Sequence, residues 1–171
     1  MKIAATVTAI LLLAGCSTTS GLAPSSSYSG FDRARVVTIS EHGNACAAVL
    51  CTGLGAEWTF ALPDKALLSV KVFNGIVGIT GASLNIDGTI TRLDSTSEPT
   101  RFNVPGAFMR ESQKSFVVPL SMVRSIVASR NVWLRVFTTD GQLEDAVIEG
   151  ARDSKAYNAL ARFLAEVDKP T

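Results

Sequence analysis

Short segments in which apolar and polar residues alternate run through this chain, and they restrict it to a fold rich in strands. Segment 66–73, ALLSVKVF, places aliphatic residues at 68, 70 and 72, with Ser69 and Lys71 between them. Segment 35–40, RVVTIS, is rich in β-branched residues, and segment 57–62, EWTFAL, alternates again. Because successive side chains of a strand point to opposite faces, this pattern indicates strands with one face in the core.

The Asp-Gly pair at 87–88 predicts a hairpin turn between two of these strands. A loop of two residues pairs Leu84 with Thr91, whereas a loop of three residues pairs Leu84 with Ile90. Apolar side chains stabilise a sheet when they lie opposite one another. We therefore expect the three-residue loop, with Leu84 facing Ile90.

The Asp-Gly pair at 140–141 predicts a second hairpin, and the same test applies to it. A three-residue loop sets Phe137 opposite Leu143 and Arg135 opposite Asp145. These pairs match apolar with apolar and cation with anion. The longer loop is again the expected one.

Two segments have helical rather than strand spacing. Pro119 suits a first helical position and is followed by apolar residues at 120, 123, 126 and 127. Asp153 or Ser154 can cap a second helix, whose apolar residues recur at 157, 160, 164 and 167. Helices do not alternate regularly with strands, which disfavours a parallel doubly wound sheet. We expect an α+β fold, a mainly antiparallel sheet with about two helices on one face; a small β-sandwich with peripheral helices is the alternative.

The beginning of the chain has the pattern of a secretory signal. Lys2 precedes an apolar run over 3–13, and small residues then lead to a cysteine in Leu13-Ala14-Gly15-Cys16. A helix needs about 20 apolar residues to cross a bilayer, so this run is too short to span one. Its length suits the apolar region of a signal peptide.

The string Leu13-Ala14-Gly15-Cys16 resembles the lipobox of bacterial lipoproteins. In that family a peptidase cuts before the cysteine, whose sulfur receives a diacylglyceryl group and whose new amino group is acylated. The resemblance implies a signal peptide over 1–15 and a membrane partner reached through lipid on Cys16. In a Gram-negative envelope, Ser17 in place of aspartate implies transfer to the outer membrane, with the protein facing the periplasm; in a Gram-positive cell this implication does not apply. An ordinary signal peptide with a chance cysteine is the alternative.

Composition defines the rest of the chain. Segment 17–30, STTSGLAPSSSYSG, consists of small and mostly polar residues, so we expect a flexible tether over 16–31 and a single domain over 32–171.

The charge of the chain is nearly balanced. Lys and Arg total 16 against 15 acidic residues, with no basic block, which argues against nucleic acid as a partner. Removal of Lys2 with the leader balances the charges, so the lipid rather than a polybasic patch must anchor the protein.

Two cysteines remain within the domain, Cys46 and Cys51, with four residues between them. In an oxidising envelope compartment such a pair usually forms a disulfide, and this is what we expect. Two free thiols are the main alternative. A redox pair is disfavoured because the thioredoxin-type motif has two intervening residues and a βαβ context.

His42 is the single histidine, and every metal or nucleophile hypothesis depends on it. A metal site from Glu41, His42, Cys46 and Cys51 matches no established zinc spacing. A Ser-His-Asp arrangement would need His42, and the Gly-x-Ser-x-Gly motif does not occur in the sequence. We therefore assign no catalytic, cofactor-binding or metal-binding residue.

The leading hypothesis is a lipid-anchored envelope protein that acts as a non-catalytic binding or interaction module, with an envelope protein as its partner. One alternative is a small periplasmic hydrolase using His42 with a carboxylate or thiol. A third hypothesis is a carrier of apolar ligands, which needs a cavity between sheet and helices. The sequence does not define a small-molecule ligand.

Overall fold

The computed structural model describes residues 22–104, 106 and 109–170. The predicted signal peptide over 1–15 and Cys16 lie outside these residues. The described chain forms the following elements: β1 (Ser25–Ser29), β2 (Ala34–Gly43), β3 (Cys51–Thr59), β4 (Lys65–Phe73), β5 (Ile79–Ile86), β6 (Thr89–Arg92), β7 (Asp94–Ser95), β8 (Arg101–Asn103), β9 (Glu111–Pro119), α1 (Leu120–Ala128), β10 (Asn131–Thr138), β11 (Gly141–Glu149), β12 (Arg152–Asp153) and α2 (Lys155–Val167).

These strands form two sheets in which every pair is antiparallel. The larger, seven-stranded sheet has the order β1-β2-β3-β4-β9-β7, with β8 also paired to β9. The smaller, five-stranded sheet has the order β12-β11-β10-β5-β6. The expected mainly antiparallel, strand-rich architecture with two helices is therefore confirmed for the described residues.

The two sheets and both helices share one apolar core. Leu54 and Leu68 of the larger sheet are fully buried, as are Leu84 and Leu134 of the smaller one. The buried face of α2, which includes Phe163, packs on β2 and β3, while α1 packs on β4, β9 and α2. Burying this much apolar surface is the main source of stability for such a fold.

The second helix begins where its sequence predicts. The Ser154 hydroxyl accepts a hydrogen bond from the backbone N–H of Tyr157 at 3.1 Å, which satisfies one free donor of the first turn. The Tyr157 hydroxyl donates to the Val127 carbonyl at 3.0 Å and so ties α2 to α1. An ion pair between Arg124 of α1 and Asp168, the residue directly after α2, joins the same two helices. The distance from Arg124 Nη2 to Asp168 Oδ1 is 2.6 Å.

The first hairpin does not have the expected register. Ile86 pairs with Thr89 and Leu84 with Thr91, so the loop holds two residues and the expected Leu84–Ile90 pair is wrong. Asp87 and Gly88 both have positive φ, +47° and +93°, a turn whose twist matches that of the flanking strands. This turn geometry outweighs the apolar pairing, and Ile90 is left 67% exposed.

The second hairpin also has a shorter loop than expected. Thr138 pairs with Gly141, which sets Arg135 opposite Glu144 and Leu134 opposite Asp145. The expected Arg135–Asp145 pair is therefore wrong. Because a shift of one residue moves a side chain to the other face, Asp145 points into the core.

The folded domain begins earlier than expected. Ser25–Ser29, which the sequence assigned to the flexible tether, forms β1 and pairs with β2. Leu22 is already buried, so the expected start near residue 32 is too late. The side chains of β1 lie mostly in solvent, and its composition therefore lacks the apolar alternation that identifies the other strands.

Candidate functional site

The residues that sequence reasoning considered for chemistry do not assemble around His42. This residue lies near the end of β2 opposite Leu54, and its buried Nε2 has no hydrogen-bond partner among the described residues. Cys46 and Cys51 form the expected disulfide, with their Cα atoms 5.4 Å apart. Their sulfurs also lie near a carboxylate oxygen of Asp145. Because both sulfurs are bonded to each other, neither supplies the thiol of the hydrolase hypothesis or a thiolate metal ligand.

A more extended site lies on the outer face of the seven-stranded sheet, away from the core. We call this depression the outer groove; its volume is about 490 Å³. Its floor comes from β2, β3, β4 and β9, and residues 96–101 form one wall. The lining residues are Thr38, Ile39, Ser40, Glu41, Ala56, Glu57, Leu67, Ser69, Thr96, Ser97, Glu98, Arg101, Gln113 and Ser115.

The centre of the outer groove is a hydrogen-bonded network around the Glu41 carboxylate. Its Oε1 accepts from the Ser69 hydroxyl at 2.5 Å and from the Gln113 amide at 2.6 Å. The Gln113 amide also donates to the Ser69 oxygen at 2.8 Å. Lys71 binds Glu41 Oε2 and Glu111 Oε2, both at 3.1 Å. Three strands thus contribute to one network.

A bulge in β2 and a glycine in β3 allow this arrangement. The register of β2 against β3 shifts between Ile39 and His42, which places Glu41 over Gly55. A Cβ on Gly55 would lie 2.7 Å from the Ile39 carbonyl oxygen and 2.8 Å from the Glu41 nitrogen. Since Gly55 pairs directly with Ser69, its missing side chain lets Glu41 reach across β3 to β4.

The network holds both central charges in their ionised forms. Burial opposes ionisation of Glu41, but hydrogen bonds from Ser69 and its own backbone, together with the Lys71 charge, outweigh it and lower the pKa of Glu41. Burial likewise disfavours the Lys71 cation, but the charges and hydrogen bonds of Glu41 and Glu111 raise the Lys71 pKa. A general base needs a pKa near the working pH, and these shifts move both groups away from it.

The outer groove continues into an apolar depression toward the β3–β4 turn. This second depression has a volume of about 170 Å³ and shares Glu57 and Leu67 with the first. Leu62 and Val117 also line it, and both are partly exposed. The combined surface offers hydrogen-bonding groups in the centre and apolar contact at one end. It lies outside the sheet, not between sheet and helices where the carrier hypothesis placed a cavity.

Most of this site cannot be found from the sequence. Glu41 stands out there only as a candidate metal ligand, and Ser69 and Lys71 have the pattern of the polar face of a strand. Gln113 lies in a segment, 95–113, with no clear pattern. The one available signal was the pair of glycines at 53 and 55 inside a strand, since such glycines often mark a close approach of backbone.

Comparison of the chain with protein-family models, with curated proteins and with solved structures finds no match. Neither helix in the described part of the chain has the length and apolar character needed to cross a membrane.

Proposed function

We propose that the protein is a lipid-anchored component of the cell envelope whose domain is a non-catalytic binding module. The observation that carries the binding role is the closed network of the outer groove. Glu41 forms an ion pair with Lys71 and accepts hydrogen bonds from Ser69 and Gln113. Lys71 also forms an ion pair with Glu111. Groups held in this way present a rigid surface to a partner and do not exchange protons at neutral pH.

The anchoring half of the proposal rests on the leader. Lys2, the apolar run and the small residues before Cys16 have the order and lengths of a lipoprotein signal. Two or three acyl chains on one residue supply the multiple hydrophobic anchors that stable attachment requires. The Ser17 that follows favours the outer membrane, with the domain on the periplasmic side.

The chemistry of the outer groove favours an extended segment of another envelope protein as its occupant. Peptide groups and polar side chains suit the hydrogen-bonding centre, and an apolar side chain suits the Leu62 and Val117 end. Among the lining residues that the structure describes, Glu41, Glu57 and Glu98 are acidic and Arg101 is basic. Arg101 pairs with Glu98 at 2.8 Å and Lys71 pairs with Glu41 at 3.1 Å, so the acidic excess lies at Glu57. The acidic excess favours a segment that carries lysine or arginine.

Photo-crosslinking in intact cells tests this binding role. A photoreactive residue at Val117 is expected to give one discrete adduct with an envelope protein, and the same residue at exposed Gln142 of the other sheet is expected to give none. The added substitution Glu57→Lys should reduce the Val117 adduct severalfold through charge repulsion, whereas Glu149→Lys, on β11, should leave it unchanged. A Val117 adduct that is absent, or that matches the Gln142 control, rejects the groove as the binding site.

A further inference from the structure

Exposed apolar side chains gather on two loops at the end of the larger sheet where β2 ends and β3 begins. Val49 is 80% exposed, Ile76 43% and Leu50 37%, and we call these three residues the loop patch. An isolated exposed apolar residue is ordinary, but a contiguous group usually marks a contact surface. The loop patch is therefore a candidate for an interaction that the outer groove does not explain.

The loops that carry the loop patch are held in place. The Asn74 side-chain amide donates to the Val49 carbonyl at 2.8 Å and joins the two loops. The Cys46–Cys51 disulfide closes the first loop, and Leu50 packs directly against Gly75. The Gly75 backbone N–H donates to the Arg110 carbonyl at 3.0 Å. Apolar side chains on so constrained a scaffold remain exposed instead of folding back onto the core.

The start of the domain lies at the same end of the sheet. Ser25 pairs with Thr38 in an antiparallel register, so the chain before Ser25 runs toward the Gly43 end of β2. Leu22 is buried, and Cys16 precedes it by six residues. Six residues span at most about 20 Å when fully extended. A lipid on Cys16 therefore keeps this end of the domain close to the bilayer.

We propose that the loop patch contacts the phospholipid bilayer and so orients the domain end-on at the membrane. This inference rests on the lipid anchor of the proposed function and adds an orientation to it. Buried apolar area at the lipid interface stabilises such contacts. Arg110, whose carbonyl accepts from Gly75, and Asp140, which follows the Thr139 that bonds to Gly78, bring opposite charges to this end. Apolar contact rather than attraction to anionic lipid therefore drives the docking.

The opposite end of the sheet provides a matched control. Phe60 and Leu62, in the turn between β3 and β4, are also exposed apolar residues. The nine residues of β3 separate them from the loop patch, which corresponds to about 30 Å along a strand. End-on docking brings Val49 to the lipid and leaves Leu62 in water.

The test uses the protein purified from membranes of cells that express the whole chain, reconstituted with vesicles of phosphatidylethanolamine and phosphatidylglycerol. A polarity-sensitive fluorophore is attached through Val49→Cys or, as the control, through Leu62→Cys. We expect nitroxide-labelled lipids to quench the Val49 probe at least about threefold more strongly than the Leu62 probe, with a blue shift for Val49 alone. Introducing Ile76→Asp should reduce the Val49 quenching severalfold, whereas Phe60→Asp should not change it.

The outcomes separate this inference from the anchor itself. Protein that floats with the vesicles while the Val49 probe stays in water overturns end-on docking and leaves the anchor standing. Equal quenching at Val49 and Leu62 also overturns it, because the domain would then lie flat. Protein that does not float, and whose Cys16 carries no acyl chain by mass spectrometry, overturns the anchor and the inference together.

Discussion

Thr52 of β3 and Asp145 of β11 link the two sheets through the core. The carboxylate oxygen Oδ2 of Asp145 accepts from the Thr52 backbone N–H at 2.8 Å and from the Thr52 hydroxyl at 2.7 Å. The Asn44 side-chain amide donates to the Thr52 hydroxyl oxygen at 2.9 Å. All three residues are buried. Burying a carboxylate is costly unless hydrogen bonds replace its lost water, and these donors supply that replacement.

The first prediction concerns this link. Thr52→Val preserves side-chain volume but removes the hydroxyl, which leaves the Asp145 carboxylate and the Asn44 amide each with one partner fewer. We expect the free energy of unfolding to fall by about 1–3 kcal/mol, the cost of buried polar groups left unsatisfied. Urea denaturation measures the loss, with exposed Thr89→Val as a control that should change stability by less than about 0.5 kcal/mol. Equal stabilities for the two variants would show that the link contributes nothing.

The position of Asp145 could not be predicted from the sequence. The expected loop would have set it opposite Arg135, whose side chain the structure exposes, and the observed loop, shorter by one residue, turns it inward. A slip of one residue reverses every side chain of a strand, so small errors in turn geometry have large consequences. The start of α2 was predictable because its cap depends on Ser154 and the following three residues alone.

The outer groove could not be predicted from the sequence either. Glu41 lies 28 positions from Ser69 and 72 from Gln113, and only the strand order and the β2 bulge bring them together. Alternation indicated which strands are half-buried, but it does not specify which strands are neighbours. The disulfide could be expected because its two residues are close in sequence and share a loop.

The second prediction concerns the ionised state of Glu41. Its pKa is lowered by folding, so its contribution to stability is fully present above the ordinary value of 4.5 and is lost as pH falls through the lowered value. Glu41→Gln removes the carboxylate charge from the bonds with Ser69, Gln113 and Lys71. The free energy of unfolding at pH 7 should therefore fall by about 1.5–3 kcal/mol. The difference between parent and variant should shrink as pH falls below 4.5. Urea denaturation over a pH series measures both effects, and a difference independent of pH contradicts the assignment.

Lys71 gives the same network a dependence on alkaline pH. Its pKa is raised by Glu41 and Glu111 against the effect of burial. The stability that it contributes is therefore present below the ordinary value of 10.5 and is lost as pH rises through the raised value. In the Glu41→Gln variant one of its two carboxylate partners is gone, so the alkaline loss should begin at lower pH than in the parent protein.

The third prediction tests the close approach of β2 and β3. A methyl group on Gly55 would meet backbone atoms at 2.7 and 2.8 Å, and backbone cannot move aside as a flexible side chain can. Gly55→Ala should therefore destabilise the domain by about 1–3 kcal/mol, as overpacking does. Gly30→Ala is the control, since a Cβ at Gly30 meets nothing within 4 Å. Thermal unfolding compares the two, and unchanged stability in Gly55→Ala would contradict the bulge geometry.

The fourth prediction concerns the disulfide. Closing the short loop between Cys46 and Cys51 restricts the unfolded chain, and replacing both residues with serine should lower the free energy of unfolding by about 2 kcal/mol. Thiol labelling of the unreduced, denatured domain should find both cysteines blocked. Two labelled thiols, or no change in stability on reduction, would contradict a disulfide that supports the loop.

The fifth prediction concerns attachment to the membrane. Because the sequence has no block of basic residues that could hold a charge-balanced domain at a bilayer, attachment should depend on lipid at Cys16. Cys16→Ala should therefore move the protein from the membrane fraction to the soluble fraction, and metabolic labelling with a fatty acid should lose its signal. The double substitution of Cys46 and Cys51 by serine controls for the loss of cysteine as such, and it should leave the protein on the membrane. If the Cys16→Ala protein stays with membranes after a high-salt wash, a contact other than lipid holds it, and the loop patch with Val49 and Ile76 is the first surface to substitute.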